Sequence, residues 1–147
     1  MNLTPKKLKV SANINMAYVI NYLSKYCNYS TETAFVAFIS TTAYRELMDF
    51  STGFATAMGT DILFFAAEDL GIDLEETDAK IEGSFDISEK LQYCVNMSEG
   101  FRESTKISTS AYYKYLKTHK IWRFIEDNYT SLAPLQKSEV FDRIKNL

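Results

Sequence analysis

The side chains able to do chemistry are few, and their spacing keeps them apart. His119 is the only histidine, so a Ser/His/Asp or Cys/His arrangement has to use it. It lies beside Lys117 and Lys120 at an expected helix junction, where a solvent-facing turn residue is the plainer reading. Cys27 and Cys94 are the only cysteines. With no His or Cys at ligand spacing they make no zinc site, and they read as buried free thiols. The carboxylate pairs Glu75/Glu76 and Glu126/Asp127 are adjacent, so on a helix they point apart, whereas acid–base catalysis needs groups converging in a cleft. Neither a P-loop nor a dinucleotide fingerprint occurs. These residues predict a protein that is not an enzyme, with no metal and no cofactor.

The elements that carry these residues repeat. Residues 29–69 and 107–147 align without gaps at a spacing of 78, with six identities in 41 pairs: Ser30/Ser108, Thr31/Thr109, Arg45/Arg123, Asp49/Asp127, Thr52/Thr130 and Ala55/Ala133. Apolar residues match as well, among them Phe38/Leu116, Tyr44/Trp122, Leu47/Ile125 and Ile62/Val140. A repeat of this size suggests two similar halves. An isolated unit of about 60 residues is marginal, so the halves are expected to share one core. The expected fold is all-α: a compact bundle of about eight helices made of two pseudo-symmetric halves. It is a single domain over 1–147, with repeats 13–71 and 86–147 joined by an acidic connector 72–85.

Helical spacing places the first helix over Asn13–Cys27, after a polar arm over residues 1–12 that contains Pro5. Ser30, Thr41 or Thr42, and Thr60 are expected N-caps in the first half, as are Asp86 (with Glu89 at the capping-box position) and Ser108 in the second. Gly71 suits a left-handed helix end, and Pro134 suits the first position of a last helix. Tyr44, Leu47, Ile62, Trp122, Ile125 and Phe141 are expected to be buried. Twenty residues are Tyr or Phe in equal number, so large aromatic area can fill the core.

Net charge is −3, which argues against broad nucleic-acid affinity. The signs separate along the chain. Residues 61–103 hold twelve acids against Lys80, Lys90 and Arg102, while Lys6, Lys7 and Lys9 precede them and seven Lys/Arg face four acids after residue 106. A solvated connector is the plain reading; a docking surface for a basic protein partner is the sharper one. The candidate partner-binding residues are Asp73, Glu75, Glu76, Asp78 and Glu82, with Tyr112, Tyr115 and Lys117, since tyrosine joins apolar area to a polar tip. A helical DNA-binding regulator is the alternative, resting on Lys114, Lys117, Lys120 and Arg123. Against it, Val36 and Ile39 stand in the first half where Lys114 and Lys117 stand in the second. The N-terminus MNLTPKKLKV has no apolar signal core, and the longest apolar run is far too short for a bilayer. A cytoplasmic monomer or homodimer is expected.

The segment ISTSAYYKYLKTHKIWRFIEDNYTSL resembles a family of short bacterial helical domains of unknown function. Ile107, Ser108, Tyr113, Leu116, Ile121, Phe124, Ile125, Tyr129 and Leu132 fall on its pattern, as do Ser30, Phe35, Phe38, Leu47, Asp49, Phe54 and Gly59 in the first half. The family shows a His after the Leu of its Tyr-x-x-Leu motif, where this chain has Ala55 and Ala133. Ser51 also replaces the Tyr in the first half. Family members are often encoded beside ADP-ribosyltransferase-like genes. The resemblance therefore implies an antitoxin, immunity or counter-defence protein that binds a toxin-like or defence-related protein. AYRELMDF and CVNMSEGF are also similar to poxviral Bcl-2-like proteins, helical bundles that bind host signalling proteins.

Overall fold

A computed structural model describes residues 3–74 and 86–147, the side chains of Thr109, Tyr113, Lys117, Thr118 and His119 excepted. Every regular element among the described residues is helical, so the fold is all-α. The chain divides into two compact units, Met1–Ile87 and Ser88–Leu147.

The first unit contains α1 (Pro5–Tyr26), α2 (Thr31–Ile39), α3 (Thr42–Met48), a 3-10 turn (Phe54–Thr56) and α4 (Gly59–Leu70). Helix α1 starts eight residues earlier than the apolar spacing predicts. The Lys7 amide donates to Thr4 Oγ1 at 3.2 Å, and Pro5 occupies the first turn. There its missing amide hydrogen costs nothing. The polar arm expected over residues 1–12 is therefore mostly helix, and Pro5 opens the helix instead of preventing it. Ser30 and Thr41 cap α2 and α3 as expected, accepting from the amides of Thr33 and Tyr44. Thr60 does not cap α4, which starts at Gly59 after Met58 and has no side-chain cap.

Helix α1 is the centre of this unit. Ala12, Met16, Val19, Ile20 and Leu23 are buried, with Phe35 and Phe38 of α2, Tyr44 and Leu47 of α3 and Ile62 and Leu63 of α4. Phe38 and Tyr44 meet edge to face at 5.8 Å, a favourable ring geometry. Asn15 Nδ2 donates to the carbonyls of Ala55 and Ala57, and Ser11 Oγ donates to that of Ala55. These bonds pin the chain before α4 along α1. The Asp69 carboxylate accepts from the Thr42 amide at 2.6 Å, so α4 helps cap α3. Gly71 ends α4 at φ +67°, and the Ile72 amide returns to Ala67 O at 2.9 Å. That is the left-handed helix end expected of Gly71.

The second unit contains α5 (Glu89–Thr105), α6 (Thr109–His119), α7 (Ile121–Asp127), α8 (Tyr129–Leu132) and α9 (Lys137–Lys145). Ser88, not Asp86, is the cap of α5: its Oγ accepts from Leu91 N at 3.1 Å. Ser108 caps α6 as expected. Pro134 does not open the last helix. It lies in the turn after α8, and α9 begins three residues later with Gln136 before it. Trp122, Ile125, Val140 and Ile144 are buried with Leu91, Val95 and Phe101. Phe141 is half-buried and not fully enclosed as predicted; its ring stands 6.0 Å from that of Phe101.

The two units place their burial at related positions. Moving back 78 residues from each of the fifteen buried residues given for the second unit reaches a buried residue of the first in fourteen cases, Leu132/Phe54 being the exception. Helices α2 and α6 start 78 residues apart, as do α4 and α9.

Candidate functional site

The acidic candidates begin where α4 ends. The turn at Gly71 directs the chain away from the helix, and Asp73 is exposed two residues later. Glu75, Glu76, Asp78 and Glu82 lie outside the described residues. The side chain of Lys117 does as well, along with those of Tyr113 and His119. Tyr115 is half-buried, its ring 6.0 Å from that of Phe101.

Tyr112 is not a surface residue. It is fully buried, and its hydroxyl donates to Ser98 O at 2.7 Å. Burial, with the Glu99 carboxylate nearby, holds its phenol well above the ordinary tyrosine range. A buried tyrosine needs a partner for its polar tip, and α5 supplies one. Tyr112 therefore belongs to the core and cannot meet a partner protein. The sequence position gives no warning of this, because the first half has the much smaller Ala34 there.

Beside it lies a polar group that the sequence reading missed. Glu99 is fully buried, and Arg102 reaches it through Nη2 at 3.0 Å and Nε at 3.4 Å. A buried carboxylate is very costly unless it is paired and hydrogen-bonded. The signal was present: Glu99 falls on the stripe of Leu91 and Val95, with Arg102 one turn later. The guanidinium one turn on pairs with this carboxylate within α5.

Cys94 is buried, and that burial pushes its thiol up to about 12. It is protonated at neutral pH and a poor nucleophile. Cys27 is half-buried. Among the described residues no three His, Cys, Asp or Glu gather to hold a metal ion, and no helix is long and apolar enough to cross a membrane.

What the first unit does present is large apolar side chains at its surface. Val10, Ile14, Met58 and Phe64 are 55%, 51%, 66% and 49% exposed. Val10 and Ile14 follow Lys6 and Lys7 on α1, while Phe64 lies between Asp61 and Glu68 on α4; all four charged residues are exposed. No protein-family model, curated protein or solved structure matches the chain.

Proposed function

We propose that this protein is a non-catalytic protein-binding module, built from two halves of one duplicated unit, that sequesters another protein as an antitoxin, immunity or counter-defence factor. The observation that carries the binding reading is the surface of the first unit. Exposed apolar side chains set within charged stripes suit association with protein better than they suit chemistry. The duplication is supported by the shared burial register of the two units. Support for the toxin-directed reading comes from the family resemblance in the segments after Ser30 and Ser108, with its neighbouring transferase-like genes. The acidic run from Glu68 through Glu82 would attract a basic partner and speed its encounter.

Co-expression tests this reading. The protein is produced together with the product of the adjacent gene in cells that the product alone arrests. Restored growth with formation of a stable complex is the expected result. Continued arrest with no complex between the two purified proteins contradicts the antitoxin reading.

A further inference from the structure

The first unit carries two helix faces of opposite sign that match one another. On α1, Lys6, Lys7, Val10 and Ile14 are exposed, and at 100° per residue they fall on one stripe. Beyond Ile14 the helix is buried on all sides as far as Leu23, so this stripe is its only broad opening toward solvent. On α4, Asp61, Phe64 and Glu68 are exposed at spacings of three and four, opposite the buried Ile62, Leu63, Ala66 and Ala67. One face is basic and aliphatic; the other is acidic and aromatic.

The two faces are held in a fixed relation inside the unit. A Cβ at Gly59 would stand 2.6 Å from Tyr18 Cδ1, so the start of α4 rests on the Tyr18 ring of α1. Asn15 holds the carbonyl of Ala57, which sets Met58, the most exposed large apolar residue among the described residues, at the junction of the two helices.

We infer that these faces form a self-association surface, with the α1 stripe of one copy docking on the α4 stripe of a second copy of this chain. A two-fold arrangement makes the contact twice, α1 of each copy meeting α4 of the other. Lys6 and Lys7 then meet Asp61 and Glu68, and Val10, Ile14, Met58 and Phe64 lose their water. An anionic membrane would suit the basic α1 stripe but would repel the acidic α4 stripe, so a protein surface with both signs is the better match. The inference rests on the protein-binding reading of this unit and names one partner for it.

Sedimentation velocity on the purified full chain tests it. The expected result is a dimer at low ionic strength that dissociates as salt rises, because exposed charge pairs are screened. The double variants K6E/K7E and D61K/E68K should each weaken the dimer by roughly tenfold or more, with the helical circular-dichroism spectrum unchanged. Mixing these two variants should restore dimer, since each again meets the opposite sign. A monomeric wild type at low salt overturns the inference, whether or not it binds phosphatidylserine vesicles. A dimer indifferent to both variants overturns it equally. Neither failure touches capture of a different protein, which the co-expression experiment reads separately.

Discussion

At Gly59 the chain has no room for a methyl group, because the Tyr18 ring already occupies the place where a Cβ would stand. Neighbouring backbone cannot give way easily, since Asn15 fixes Ala57 two residues earlier. Gly59→Ala should destabilise the first unit by about 1–3 kcal/mol, as overpacking does, measured by chemical denaturation. Trp122 is the largest fully buried side chain, and Trp122→Ala should cost about 3–5 kcal/mol. A Trp122→Ala variant that unfolds with the parent would remove that ring from the core. The two thiols should separate by reactivity: alkylation of the native chain at neutral pH should modify Cys27 and spare Cys94 until denaturant is added, read by peptide mass. Equal labelling of both would contradict the buried, protonated state of Cys94.

Among the elements, the caps decide where helices start, and there the sequence was most informative. Ser30, Thr41 and Ser108 each hold an amide three residues on, and a hydroxyl before an apolar stripe is enough to identify such a site. Ser30→Ala and Ser108→Ala should each lower stability by about 1 kcal/mol, measured as a shift in denaturation midpoint. Where the reading failed, a local signal had two meanings. Pro5 fits an arm by composition, yet after Thr4 it starts a helix. Pro134 fits a helix start, yet it lies in a turn. Asp86 gave way to Ser88 because both can cap and only packing places the stripe of α5. Tyr112 shows a different difficulty. A buried hydroxyl depends on a partner across helices, here Ser98 O, which spacing along one helix does not reveal. The exposed stripes of α1 and α4 are not legible in the spacing for a related reason: only the packing of neighbouring helices leaves Val10, Ile14 and Phe64 at the surface.

For the whole molecule, pH gives a test of how well its interior is sealed. Cys94 and Tyr112 both have folded-state values raised by burial above their ordinary 9.0 and 10.0. An acid with a raised folded value keeps its proton in the native state while the unfolded chain loses it. The stability these groups contribute is therefore fully present below pH 9 and falls as pH climbs beyond it. The denaturation midpoint should be lower at pH 10 than at pH 7, and Cys94→Ala should reduce that difference. An unchanged midpoint at pH 10 would mean that solvent reaches both groups.

The claim that matters most is that this molecule works by holding another protein. Affinity capture of the tagged full chain from the cell that encodes it, beside the E75K/E76K/D78K variant, measures this most directly. The expected result is one discrete protein recovered in stoichiometric amount with the wild type at low salt and strongly reduced with the charge-reversed variant. Equal recovery with both chains would remove the acidic run from recognition, and recovery of nucleic acid with no protein partner would contradict the claim itself.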